Sequence, residues 1–339
     1  MLNNIDRCKL CREPSWLSKG ITTAFFIVLL AISTESYSQE FVAAKAPFSV
    51  QVNDRTVYHS ISFEPVMPEQ EVVFTAPKSL ASRLSITINQ TALTRRQSSF
   101  NWRAPAKPGL HTAEISLTPE TKKGQIQKMT VQLFVMVPAS KVKDGYLNGY
   151  RIGNYPVPLR GLAAYKAPKG FIEVNAVHLD TQISPNFTLG RFLSKQTSGY
   201  PKYLVLQPTL LTKLEELLQE VNAKGIKTNS FVIMSGYRTP WYNQAIKNVV
   251  SSYHVYGGAA DIYIDVNPQD GRMDDINKDG KRDRADAAYL YQIANSLFPR
   301  PNRPELTGGL GEYGSNSAHG PFIHVDVRGS RARWGHKKQ

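Results

Sequence analysis

Ser252-Tyr253-His254-Val255-Tyr256-Gly257-Gly258-Ala259-Ala260-Asp261 is the stretch on which the reading of this 339-residue chain turns. Gly257 and Gly258 let the backbone bend tightly, and the residues from Ala259 to Ile264 are suited to a strand, so His254 and Asp261 can converge although they lie seven positions apart. Another 63 residues on, Pro321-Phe322-Ile323-His324-Val325-Asp326-Val327 is strand-like and carries a second imidazole. Two imidazoles and one carboxylate are the donors of a tetrahedral centre with one position left for water. A lone histidine is more often structural than a ligand, and the sequence on either side decides between the two.

Upstream, Leu210, Leu211, Leu214, Leu217, Leu218 and Val221 fall on one helical face, with Pro208-Thr209 as a start and Gly225 as a stop. Phe231-Val232-Ile233-Met234 then reads as a buried strand that delivers the chain to Ser235-Gly236-Tyr237-Arg238-Thr239-Pro240. Downstream, the second histidine opens His324-Val325-Asp326-Val327-Arg328-Gly329, and the chain closes near Arg331-Ala332-Arg333-Trp334. Taken together, these motifs resemble the D-Ala-D-Ala metallopeptidases (VanY-like), a family that shares its fold with lysostaphin and the hedgehog signalling domain. The resemblance covers roughly residues 185–335. It implies zinc (Zn2+) held by His254, Asp261 and His324, a small antiparallel sheet flanked by helices, and hydrolysis of the peptide stems or cross-links of peptidoglycan. Arg238 matches the family arginine that faces substrate, where a guanidinium can bind a carboxylate or a developing oxyanion. Many relatives carry Glu three residues before the last ligand. This chain has Pro321 there, so the proton acceptor is open between His319 and Asp326, with Glu312 behind them. Asp326, two positions after His324 on a strand, could equally orient a ligand.

Between the second and third ligands lies a stretch with the spacing of a calcium (Ca2+) loop. Asp275, Asn277, Asp279, Lys281 (through its carbonyl), Asp283 and Asp286 occupy the ligand positions, and Gly280 sits where such a loop must bend. A helix-like segment follows from Ala285 to Leu297, so residues 275–286 are expected to form a calcium-loop insertion beside the zinc cleft. Arg282 stands where an apolar residue is usual.

The rest of the chain is expected to be modular. From about 42 to 138, short alternating runs such as Leu84-Ser85-Ile86-Thr87-Ile88 and Val131-Gln132-Leu133-Phe134-Val135 are separated by turn residues, which predicts an immunoglobulin-like β-sandwich acting as a spacer or docking module. Residues 139–184, rich in Gly, Tyr and Pro, read as a connector. The whole is thus of α+β class, an all-β sandwich followed by a zinc-peptidase-like domain over 185–335. Residues 1–38 combine Arg7, Lys9, Arg12 and Lys19 with a 13-residue uncharged run, Gly20–Ile32, and then Ser36-Tyr37-Ser38. This is the pattern of an export signal, with an uncleaved inner-membrane anchor as the alternative. The two cysteines, Cys8 and Cys11, fall inside it. A formal charge of +14 favours polyanionic partners. Export to the periplasm or cell envelope points to a wall polymer with free carboxylates and away from nucleic acid, for which no aromatic-and-basic motif is present. The alternative to an enzyme is a hedgehog-like zinc domain that binds wall peptide without cutting it.

Overall fold

Alternating strands build the first half. In the computed structural model, which describes residues 41–335 apart from 44 and 299, the runs Leu84–Ile88, Gly109–Leu117 and Gln127–Val135 are adjacent strands of one five-stranded sheet. Ile61–Val66 lies parallel to Gln127–Val135 at one edge of that sheet, and Thr91–Ala92 closes the other. A second five-stranded sheet has Glu71–Thr75 at its centre, between Gln51–Val52 and Ser99–Arg103. The alternation has its physical consequence here. Ile86, Ile115, Val131 and Leu133 from one sheet and Val72, Phe74 and Phe100 from the other form a single buried cluster, so the two sheets make a sandwich.

The expected connector is not a linker. Gly170–Val174 pairs antiparallel with both Val137–Pro138 and Lys202–Leu204, and Gln182–Ser184 turns back on Phe187–Thr188. Ile172, Val174, Ile183, Phe187, Leu189 and Phe192 belong to the same core as the second half of the molecule. Within so many Gly and Pro signals, the apolar run Phe171-Ile172-Glu173-Val174 is easy to pass over, yet burying it is what binds the segment down. Phe63 and Phe134 of the sandwich also join that core, edge-to-face with ring centroids 6.2 Å apart. The sandwich is therefore fused to the second half of the molecule rather than held off as a spacer.

Helix α1, Pro208–Ala223, follows the expected apolar stripe, with Pro208 in its first turn and Gly225 left-handed just beyond its end (φ +83°). The last sheet has five strands: β1 (Val232–Ser235), β2 (Ala259–Tyr263), β3 (Gly309–Tyr313), β4 (Phe322–Asp326) and β5 (Ala332–Trp334), in the spatial order β1-β2-β4-β3-β5. All its pairings are antiparallel except β3 with β5. Helix α2, Arg284–Leu297, packs against β3 and β4. The described chain is mostly β-sheet with few helices. The candidate signal and both cysteines lie outside the described residues, and no described helix is long and apolar enough to cross a membrane.

Candidate metal centre

Register places the site. Ser235 of β1 pairs with Asp261 of β2, Asp261 with His324 of β4, His324 with Gly311 of β3, and Gly311 with Trp334 of β5. These five residues form a row across the sheet, their side chains on one face. Gly311 leaves a gap in the row. A Cβ there would come within 2.3 Å of Trp334 Nε1, so only glycine lets the indole lie across β3 and reach His324, with ring centroids 5.1 Å apart.

His254 comes to the row from outside the sheet. It sits on a 3-10 turn, Tyr253–Tyr256, ended by Gly257 in the left-handed conformation (φ +65°). A Cβ at Gly257 would lie 2.2 Å from the carbonyl oxygen of Val205, so both the angle and the space require glycine. The turn then runs into β2, and this is how residues seven apart in sequence meet.

His254 Nε2, Asp261 Oδ1 and His324 Nδ1 face one another at 3.1, 3.2 and 2.9 Å. Their remaining polar atoms fix the protons. His254 Nδ1 is 2.7 Å from the carbonyl oxygen of Gly236, which only an N–H can satisfy. His324 Nε2 likewise donates to Asp326 Oδ2 at 3.0 Å. In neutral rings the two nitrogens that face Asp261 therefore carry lone pairs. Three acceptors pointed at one another repel unless a proton or a cation lies between them. Ligand bonds of about 2.0–2.1 Å in a tetrahedron put donor atoms roughly 3.3–3.4 Å apart, close to the spacing seen. The residues present thus fit a metal ion. Among the described residues this is the one group of His, Cys, Asp or Glu side chains so gathered.

Electrostatics agree. Burial pushes the Asp261 carboxyl up, but His254 and His324 outweigh it and hold the group well below the usual carboxylate range. Burial lowers His254, helped by Arg238 and His324 and opposed by Asp261. For His324 burial acts downward as well, yet the hydrogen bonds to Asp261 and Asp326 prevail and raise it. Without metal, His324 is the member of the trio whose surroundings favour a proton. All three side chains are nearly closed off, at 2, 4 and 6% exposure.

Arg238 joins the site, although its contacts are to protein. Its Nη2 donates to Asp261 Oδ2 at 2.6 Å and its Nε to Ser235 Oγ at 2.8 Å. Asp326 is fully buried. Its carboxylate accepts from His324, from the backbone amides of Gly309 (2.7 Å) and Arg328 (3.1 Å), and from the Arg328 guanidinium. It thus lies behind the His324 ring, across from the nitrogen that faces the trio. His319 stands on the loop before β4, its Nδ1 donating to Gly320 O and its Nε2 accepting from Asn316 Nδ2. Glu312 follows Gly311 on β3 and so points to the opposite face, where it pairs with Arg284 of α2 at 2.7 Å.

The 275–286 loop is built on its own backbone. Asp275 accepts from the amides of Asp279 and Gly280, Asn277 from that of Asp279, and Asp279 from that of Lys281, all within 3.1 Å. Asp283 caps α2, and Asp286 takes the amides of Ile276, Asn277 and Asp283. The front of the expected calcium loop is thus closed on its own backbone, while Asp283 and Asp286 serve the helix start. Arg282 leaves the loop to pair with Asp270 at 2.9 Å.

Sequence reasoning passed over Ser235 and the Gly236 carbonyl as site groups, and gave Trp334 no role. The signal for Trp334 was the spacing Gly309-x-Gly311, two positions without side chains on one face of a strand.

No family model and no curated protein matches the chain. Among solved structures, three chains match, one of them described as fibronectin(III)-like modules of Clostridium thermocellum CbhA. It is 16% identical over 25% of this chain and 94% of that one, with a TM-score of 0.19, a likeness too slight to carry an argument.

Proposed function

We propose that the second half of the chain is an α+β zinc-peptidase domain that hydrolyses peptide bonds in the stems or cross-links of peptidoglycan, in the periplasm or envelope of a bacterium. The observation that carries this reading is the convergence of two imidazole nitrogens and one carboxylate oxygen, with an arginine on the carboxylate's other oxygen. Zinc bound there would supply Lewis acidity, bringing the pKa of water near neutrality and polarising a scissile carbonyl. The chain's own residues do the rest. Gly236 and Asp326 fix which nitrogen each histidine presents. Arg238 and Ser235 hold Asp261 so that one oxygen points at the trio, and the guanidinium places positive charge where a substrate carboxylate or developing oxyanion would lie. Trp334 walls the site on the β5 side and limits water. Asp326, sealed and already paired, orients His324, and His319, on the loop before β4, is the acceptor proposed for the proton. The +14 charge suits a polymer with free carboxylates.

Digestion of sacculi and cross-linked muropeptides by the zinc-supplemented protein, read by mass spectrometry, tests this. Loss of D-Ala or of cross-links, abolished by chelation and by His254→Ala, is the expected result. Intact muropeptides would overturn it. A second reading draws on Pro321 in place of the family glutamate and on the sealing of Asp326. It makes the domain a zinc module that binds wall peptide without cutting, and it predicts retention on sacculi with no change in their masses.

A further inference from the structure

Helix α1 carries one exception to its apolar face. Lys213 lies in the stripe with Leu210, Leu214 and Leu217 and has no exposed surface at all. An ammonium group without water is costly unless its donors are met, and here they are. Nζ donates to the main-chain oxygen of Asp326 at 2.7 Å and to that of Leu306 at 2.9 Å, and it lies 4.6 Å from the centre of the Phe298 ring. Burial draws its pKa down to about 7, with Asp326 pulling it back up and Arg333 and Arg328 adding to the fall. A methionine or leucine would pack the same space at less cost, so the contact with Asp326 calls for a reason. Asp326 ends β4, two residues after the ligand His324, and its carboxylate fixes the tautomer of that ligand. The same residue is therefore gripped at both ends, its side chain by Gly309 and Arg328 and its main chain by Lys213.

We propose that Lys213 is a positioning residue for the metal centre. By clamping the main-chain oxygen of Asp326 it holds that carboxylate where it orients His324, and so sets the affinity of the trio for metal. This rests on the reading of His254, Asp261 and His324 as metal ligands, though not on catalysis. Groups that orient ligating histidines typically change metal affinity 10–100-fold when removed, and Lys213 acts one step further back, so an effect of about tenfold is expected.

Zinc affinity of the full chain, measured by competition with a chromophoric chelator, tests the proposal on four proteins. Wild type sets the reference, and Lys213→Met keeps the length and loses the donors. Lys213→Gln keeps a donor too short to reach both carbonyls. Leu217→Ala removes a fully buried neighbour on the same helix that has no polar role. The expected result is about tenfold weaker zinc binding for Lys213→Met, a smaller loss for Lys213→Gln, and wild-type affinity for Leu217→Ala despite its lower stability. Should Lys213→Met fail to fold, Lys213→Gln is read against Leu217→Ala in the same way. Affinity within twofold of wild type in the Lys213 variants, or an equal loss in Leu217→Ala, would show that the lysine is only part of the core. A wild type that binds no zinc would instead sink the metal reading itself.

Discussion

At the scale of single residues, the trio's chemistry is decided by where protons sit. His324 has a raised pKa, so in the metal-free protein it keeps its proton above its ordinary value near 6.5. Zinc must displace that proton. Apparent zinc affinity should therefore begin to fall at a pH above 6.5 as the solution is acidified, where a free imidazole would compete only lower. The sign for folding runs the other way. A raised pKa in the folded state stabilises the metal-free protein below the unfolded value, and that contribution is lost as pH rises through the folded value. Asp326→Asn removes the charge of one of the two carboxylates, Asp261 and Asp326, that raise His324. It should weaken zinc binding by about 10–100-fold and move the onset of proton competition to lower pH. Zinc competition titrations at several pH values read both effects, and an unchanged affinity in Asp326→Asn would remove Asp326 from its orienting role.

At the scale of elements, the site depends on a turn and a sheet order. Gly257→Ala would strain a left-handed position and push a methyl group against the Val205 carbonyl. A loss of about 2 kcal/mol or more in denaturant unfolding is expected, along with weakened zinc binding because His254 rides on that turn. Leu214→Ala, in the wholly buried stripe of α1, should cost about 2–5 kcal/mol and leave zinc affinity alone. These two elements also show how much was legible in the sequence. The α1 stripe could be read directly because 3.6-residue periodicity is local. The trio could be read because His254, Asp261 and His324 sit in distinctive local motifs. Trp334 could not, because its place beside His324 depends on β5 docking parallel to β3 across Gly311, a long-range pairing that the spacing Gly309-x-Gly311 permits but does not specify. Nor could the strand Gly170–Val174, whose partners Val137–Pro138 and Lys202–Leu204 lie about 30 residues away on either side. Lys213 ran against its own pattern, and only the fold shows which oxygens it serves.

At the scale of the whole molecule, the sandwich is pinned to the second half by charge as well as by core. Arg303 lies over the Tyr58 ring with its guanidinium carbon 3.6 Å from the ring centre, and pairs with Glu216 of α1 at 2.7 Å. Beside it, His59 is held neutral. Burial first, then Arg303 and Lys45, lower its pKa to about 4. A base with a depressed folded pKa opposes folding once the unfolded state begins to take up protons. Stability should therefore fall as pH drops through 6.5, with the loss complete near 4, and amount to at most about 3 kcal/mol, less where solvent screens Lys45. Thermal unfolding across that range should show the fall in wild type and a shallower one in His59→Gln. Identical slopes would mean that the junction does not sense pH. Everything proposed for the molecule, from wall-peptide hydrolysis to the reach of Lys213, presupposes that His254, Asp261 and His324 hold a metal ion. Zinc bound per chain at equilibrium, compared between wild type and His254→Ala, measures this most directly. One tightly bound equivalent present in wild type and missing from the variant is predicted, while equal zinc in both would contradict it.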